Sequence, residues 1–145
     1  MKGQLIIAVD FDGTLVEHEF PRIGPEITGA VGVLKALQKI GAKLILYTMR
    51  SGLSLDQALR WCADRQLHFW AVNENPGQKH WTESNKVYAT HYIDDAAVGC
   101  PLIHPAEGRR PYVDWARILE HFTKQFAEEL GIPSENILQP PHIKS

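Results

Sequence analysis

The stretch Leu5-Ile6-Ile7-Ala8-Val9-Asp10-Phe11-Asp12-Gly13-Thr14 decides the fold of this 145-residue chain. Its apolar first half predicts a buried strand, and its second half predicts an acidic turn at the end of that strand. Side chains alternate across a strand, so we expect Asp10 and Asp12 to point the same way while Phe11 turns into the core. Gly13 has no Cβ and lets the backbone come close to a bound anion. The stretch therefore predicts a site where a metal ion and a phosphate meet.

The composition predicts one globular domain that needs no disulfide to hold its core. With 15 Lys and Arg against 17 Asp and Glu, we expect no specific nucleic-acid binding and no membrane partner. The isolated Cys62 and Cys100, together with the absence of a signal segment before Leu5, predict a cytoplasmic protein. We expect a single domain over residues 1–131 and an extended C-terminal tail over residues 132–145.

Strand and helix patterns alternate along the chain, which predicts an α/β fold with a central parallel sheet. Helical spacing of apolar residues predicts helices over residues 25–41, 54–65 and 114–130, the second of them capped by Ser54. Strands are expected at residues 4–9, 42–47, 69–72 and 91–93, with a short edge strand at 102–103. Residues 16–24 form a predicted flap, and residues 73–85 a polar loop in which Trp81 is expected to face the site.

Polar side chains follow three of the predicted strands, at the edge where ligands bind in open α/β sheets. Carboxylates there can attack phosphorus and exchange protons with the reacting groups. Their oxygens, beside phosphate oxygens, also suit Mg²⁺. A hydroxyl and an ammonium group at the same edge would bind the phosphate. The residues concerned are Asp10 and Asp12, then Thr48, then Asp94 and Asp95, with Lys86 shortly before the last pair.

These residues resemble the four motifs of the haloacid dehalogenase-like (HAD) hydrolase superfamily, whose members are mostly Mg²⁺-dependent phosphatases with a Rossmann-like core. The motifs occur in the family's order over about residues 5–99. The resemblance therefore implies a three-layer Rossmann-like fold and a phosphomonoester hydrolase that uses Mg²⁺. The four matches are Asp10-Phe11-Asp12-Gly13-Thr14, Thr48 after an apolar strand, Lys86 and Asp94-Asp95.

The resemblance also implies a role for each carboxylate. Asp10 would be the nucleophile and a metal ligand. Asp12 would be the general acid and base, and would bind the metal through its main-chain carbonyl. Asp95 is favoured as a direct metal ligand, with Asp94 either beside it or holding a metal-bound water.

Substrate contacts are implied in the same way. Thr48 and Lys86 would bind and orient the phosphoryl group, and Lys79 is the competing choice for the lysine. Arg50, two residues after Thr48, would reach a substrate phosphate or ribose, although an exposed arginine at a helix start is an equal alternative. Phe11 and Gly13 complete the predicted substrate-binding set.

Residues 75–88 are similar to small, uncharacterised bacterial members of the superfamily. The family's caps lie after the first motif or between the second and third. Here residues 16–24 and 53–85 leave room only for a flap, one core helix and a loop. The resemblance thus implies a minimal or absent cap and an open site. Such a site serves a large phosphorylated substrate or is closed by a neighbouring subunit, so a small molecule, a macromolecule and a homo-oligomer all stay open.

Two other functions fit an acidic site of this kind. A phosphoacceptor signalling domain like a response-regulator receiver also combines acids, a threonine and a lysine, but its acceptor aspartate follows a middle strand, and no acid closes residues 44–47. A catalytically silent binding module is the third interpretation. The histidines show no spacing typical of a zinc site, and His18, His80 and His104 are expected to be surface groups or pocket walls without a role.

Overall fold

Four short parallel strands form the centre of the fold. The computed structural model describes residues 4–129, and the predicted tail and the last residue of the predicted final helix lie outside them. The elements are β1 (Ile6–Val9), α1 (Ala30–Lys39), β2 (Lys43–Leu46), α2 (Gly52–Asp64), β3 (Ala71–Val72), β4 (His91–Ile93), β5 (Leu102–Ile103), β6 (Tyr112–Val113) and α3 (Trp115–Phe126). The order of the parallel sheet is β3-β2-β1-β4, so the central strand β1 lies between β2 and β4. The α/β fold with a parallel sheet is confirmed.

The sheet is covered on both faces, which explains why β1 is apolar throughout. Ile7 and Val9 belong to a large hydrophobic cluster that also contains the buried residues of all three helices. The opposite face carries a smaller cluster of Ile6, Ala8, Ile45, Val87 and Ala89. The arrangement is Rossmann-like with three layers, and the segment 73–90 fills the layer where a helix usually lies.

Two helices begin at positions that differ from the predicted ones. Helix α1 begins at Ala30, because the preceding residues are extended: Val16 bridges Glu26, and the Ile27 N–H donates to the Leu15 carbonyl. Helix α2 begins at Gly52 after Ser51, and the Ser54 hydroxyl donates to the Ser51 carbonyl instead of capping.

The strand expected at the sheet edge is not part of the parallel sheet. Strand β5 pairs antiparallel with β6 in a separate two-stranded sheet. Sequence analysis predicted β5 but missed β6, which lies just before α3. The Val113 N–H of β6 donates to the Gly13 carbonyl at 3.1 Å. The small sheet therefore supports the acidic turn rather than extending the main sheet.

The segment 73–90 is held in place by two buried side-chain amides. Asn75 Nδ2 donates to the Tyr88 carbonyl at 2.9 Å. Gln78 accepts from the Tyr88 N–H and donates to the carbonyls of Ser84 and Lys86.

Trp81 packs edge-on against Tyr88 with ring centres 5.6 Å apart, and it does not line the cleft at the strand ends. Among residues 4–129, no helix has the length and apolar character that crossing a membrane requires.

The first residue of α3 ties that helix to the acidic turn. Trp115 is 1% exposed, and its Nε1 donates to the Thr14 carbonyl at 2.7 Å. We expect Trp115→Phe to lower the free energy of unfolding by roughly 1–3 kcal/mol, because a buried carbonyl loses its donor. Chemical denaturation measures the change. Trp81→Phe, at an exposed position, is the matched control and should change little; equal losses would contradict the assigned bond.

Candidate active site

The sheet register brings the predicted site residues to one edge. Val9 is aligned with Leu46 on one side and with Ile93 on the other. The Asp10 N–H donates to the Ile93 carbonyl at 3.0 Å. The carboxyl ends of β1, β2 and β4 therefore meet where the strand order reverses, which is the usual ligand position in open α/β sheets.

Three carboxylates cluster at this edge. Asp10, Asp94 and Asp95 each offer an oxygen within 4.8 Å of the others. The buried Thr14 hydroxyl links two of them, because it donates to Asp10 Oδ2 at 3.3 Å and accepts from the Asp95 N–H at 3.3 Å. These three acids are the group in residues 4–129 whose side chains fit a metal ion.

The cluster is electrostatically unbalanced. Burial, followed by the charge of Asp94, raises the pKa of Asp10 from 3.8 to about 8. Burial also raises the pKa of Asp94, with a further contribution from Asp95. A positive charge between carboxylates this close would favour their ionised forms. Their oxygens are hard ligands of the kind that Mg²⁺ binds.

Gly13 and His18 form one wall of the cluster. His18 Nε2 lies 2.8 Å from Asp95 Oδ2. Gly13 has φ +83°, and a Cβ added there would lie 2.2 Å from His18 Nε2 and 2.4 Å from Asp95 Oδ2. Only glycine fits this close approach. His18 was expected to have no role; the structure places it against a candidate metal ligand, and its isolated position in the flap gave no signal of that contact.

Asp12 is held by Arg50 in a two-pronged ion pair. Arg50 Nε and Nη2 donate to the two Asp12 oxygens, each at 2.8 Å. The remaining guanidinium N–H groups donate to the carbonyls of Pro21, Arg22 and Ser54. Arg50 is 2% exposed, and protein acceptors occupy its donors. In this structure Arg50 is thus placed to orient Asp12 and the flap, rather than to reach a substrate.

Thr48 is fixed by a neighbour that sequence analysis missed. The Thr48 N–H donates to Asn73 Oδ1 at 2.8 Å, and Asn73 Nδ2 donates back to the Thr48 carbonyl at 2.9 Å. Asn73 has φ 54°, a left-handed conformation that asparagine tolerates well. Its position just after β3 was the available signal.

A cleft of about 340 Å³ opens over these groups. The exposed Lys86 does not line it, and Lys79 lines a separate cavity of about 390 Å³. The Phe11 ring is fully buried against Trp61, so its side chain does not reach the cleft either. The lining residues are Asp10, Asp12, His18, Phe20, Thr48, Met49, Arg50, Asp94, Asp95, Ala96 and Arg110.

Most of the chain resembles a solved structure of a conserved protein from Bacteroides thetaiotaomicron. The two sequences are 42% identical, the match covers 87% of this chain and 97% of the other, and the TM-score is 0.69. This chain belongs to the same protein family. The Bacteroides relative is described only as a conserved protein, so membership brings the fold and no activity. No protein-family model and no curated protein matches the sequence.

The raised pKa of Asp10 predicts how the stability of this family member depends on pH. Without a divalent cation, the unfolded carboxyl ionises near pH 3.8 while the folded one keeps its proton to about pH 8. The free energy of unfolding should therefore fall as pH rises through that window. We expect Asp10→Asn to raise the Tm by roughly 5 °C at pH 8 and by little at pH 4.

Thermal melts in a chelator test this expectation. Asp56→Asn is the matched control, because Asp56 is exposed on α2 and lies outside the cluster. Mg²⁺ should raise the Tm of the wild type at pH 8. The Tm gain of Asp10→Asn over the wild type should then become smaller. A Tm difference that does not change with pH would contradict the assignment.

Arg50 should be a large contributor to stability. Arg50→Ala leaves the half-buried Asp12 without its partner, and we expect a loss of about 3–5 kcal/mol. Arg109→Ala is the matched control: it removes an exposed arginine from its ion pair with Glu17 and should cost under about 1 kcal/mol. Chemical denaturation of both variants decides the comparison, and similar losses would refute the role given to Arg50.

Proposed function

We propose that this protein is a Mg²⁺-dependent phosphomonoester hydrolase of the HAD-like superfamily that acts through an aspartyl phosphate on Asp10. One observation carries the proposal. Asp10 stands at the end of the central strand, within a three-carboxylate cluster and in the same cleft as Asp12 and Thr48. That combination supplies a nucleophile, an acid or base and a phosphate-binding hydroxyl at one opening.

The donor set fits a magnesium ion. Asp10, Asp94 and Asp95 would hold it, and the proposed fourth protein ligand is the main-chain carbonyl of Asp12. Burial and the mutual repulsion of these carboxylates disfavour their ionised forms in the metal-free cluster, and a divalent cation would offset that cost. When bound, Mg²⁺ supplies positive charge that offsets the charge of the phosphoryl oxygens.

The chain's own residues would carry both chemical steps. In the first, Asp12 has taken a proton from solvent, an Asp10 oxygen attacks phosphorus, the bond from phosphorus to the leaving oxygen breaks, and Asp12 gives that oxygen its proton. In the second, water attacks the phosphorus of phospho-Asp10 and Asp12 takes a proton from that water. The Asp10 carboxylate is then restored and inorganic phosphate leaves.

Arg50 would control how Asp12 performs this task. Both Asp12 oxygens accept from Arg50, so Asp12 must give up at least one of these bonds to transfer a proton. Arg50 would then act as a positioning residue. Thr48 lines the cleft and would bind a phosphoryl oxygen. Lys86 is the proposed lysine partner of the phosphoryl group, and its exposed side chain would turn inwards when substrate binds.

The cysteines support a proposed cellular location, and the cleft supports a proposed range of substrate sizes. Within residues 4–129, Cys62 and Cys100 are free thiols, which supports a reducing cytoplasmic location. Residues 16–24 contain no helix or strand of the fold and are the proposed flap over the cleft in place of a folded cap. An open cleft admits a phosphorylated small molecule or a macromolecule, and a second copy of the chain is the proposed alternative cover.

The pairing of Asp12 with Arg50 also favours a second candidate function. If Asp12 stays bound to Arg50, the water that hydrolyses phospho-Asp10 lacks its base. Phospho-Asp10 would then persist, and the protein would be a phosphoacceptor or a non-hydrolytic phosphate-binding module. The lifetime of labelled Asp10 distinguishes this function from hydrolysis.

Release of phosphate from an aryl phosphate tests the hydrolase. We expect turnover that requires Mg²⁺, loss of about 10³-fold or more in Asp10→Asn, and loss of about 10²- to 10⁴-fold in Asp12→Asn. Asp56→Asn is the matched control and should keep wild-type activity. Circular dichroism confirms that each variant is folded. A folded, Mg²⁺-loaded wild type that releases no phosphate would refute the hydrolase, and stable labelling of Asp10 by a phosphodonor would favour the second candidate.

A further inference from the structure

The cleft has one cationic side chain whose donors are unoccupied. Arg50 and Arg110 are the lysine or arginine residues that line it within residues 4–129. Arg50 is fully engaged by Asp12 and three carbonyls. Arg110 is exposed, and no hydrogen bond or ion pair from residues 4–129 holds its guanidinium. An uncommitted guanidinium at a cleft is a ready partner for a planar anion.

Neighbouring contacts fix where Arg110 stands. Strands β5 and β6 close the segment 104–111, and β6 is bonded to the Gly13 carbonyl. The adjacent Arg109 binds Glu17 through both Nε and Nη2, which joins this segment to the flap. Arg110 is thus held at the cleft by its backbone while its side chain stays free.

Arg110 lies nearer to the surface of the cleft than the reacting group, Asp10. Asp10, Asp94 and Asp95 are half-buried at the strand ends, whereas Arg110 is exposed and forms no ion pair with any of them. Two apolar side chains also line the cleft and are strongly exposed, Phe20 at 60% and Met49 at 97%. A phosphoryl group at Asp10 would therefore leave Arg110 facing the outer part of the substrate.

An anion at that outer position needs the positive charge of Arg110. Even with one divalent cation, the three clustered carboxylates leave the cleft negative, and Arg50 already offsets Asp12. A second anionic group on the substrate would be repelled unless Arg110 met it. The cleft volume of about 340 Å³ has room for a phosphoryl group together with a small leaving group.

Resting on the proposed hydrolase, we propose that Arg110 is a specificity residue that binds a second anionic group, a carboxylate or a further phosphate, on the leaving group of the substrate. The favoured substrate class is a small phosphomonoester whose leaving group has an apolar portion, to pass Phe20 and Met49, and an anionic end.

Two substrates that differ in charge test the proposal. Both para-carboxyphenyl phosphate and para-carbamoylphenyl phosphate carry an electron-withdrawing group, but the first alone has a second anion. We expect Arg110→Ala to lower kcat/KM roughly 3- to 10-fold for the carboxylate and to leave the amide within about twofold. Arg110→Lys should recover part of the loss, because it keeps the charge. Arg117→Ala, an exposed arginine on α3, is the matched control and should change neither substrate.

Two kinetic outcomes would overturn the proposal. Equal losses on both substrates would assign Arg110 to the transferred phosphoryl group instead. Unchanged kinetics on both would show that Arg110 contacts no part of the substrate.

Measurements of ligand binding test the anion site at Arg110 separately from the proposed hydrolase activity. Isothermal titration with Mg²⁺ compares para-carboxybenzylphosphonate with para-carbamoylbenzylphosphonate, which are not hydrolysed. Tighter binding of the carboxylate phosphonate by the wild type, lost in Arg110→Ala, supports the anion site. This result would hold even if the wild type hydrolysed no phosphate ester, and then only the hydrolase proposal would fail. Equal binding of the two phosphonates by the wild type would overturn the anion site, whatever the phosphatase activity.

Discussion

The ion pair between Arg50 and Asp12 joins the parts of the molecule on which the site depends. It links the turn after β1 with the start of α2, and the same guanidinium donates to the carbonyls of Pro21 and Arg22 in the flap. A buried charge is tolerated only when its partners are complete. Arg50 meets that condition, so the flap, the helix start and Asp12 must adopt their positions together.

The neighbouring cluster of three carboxylates lacks such a complete set of partners. Asp10, Asp94 and Asp95 are brought together with no lysine or arginine partner among residues 4–129, and burial together with mutual repulsion raises the pKa values of Asp10 and Asp94. The site is therefore balanced on the Asp12 side and unbalanced on the Asp10 side. The proposed divalent cation would offset the negative charge on the Asp10 side, and the free Arg110 adds a positive charge at the outer part of the cleft.

The fold positions the charged groups of the cleft with little secondary structure. The face of the sheet opposite the helices is covered by the segment 73–90, which buried Asn75 and Gln78 stiffen through hydrogen bonds to its own backbone. A polar loop of that composition looks like a surface excursion in sequence, because a side chain that will bond to a distant carbonyl cannot be told from a solvated one. The pairing of β5 with β6 was not predictable for a related reason, since the contact of β6 with Gly13, like that of Trp115 with Thr14, joins residues far apart in the chain.

The sequence by itself determined the parallel α/β fold and the set of groups at the strand ends. Apolar period and turn chemistry are local properties, so Asp10, Thr48 and the Asp94-Asp95 pair could be assigned to strand ends before any contact was known. Only the tertiary structure decided which charges meet. Arg50 and Asp12 are 38 residues apart, and His18 and Asp95 are 77 residues apart. Such pairings depend on how separate segments cross above the sheet, and no local pattern records that crossing.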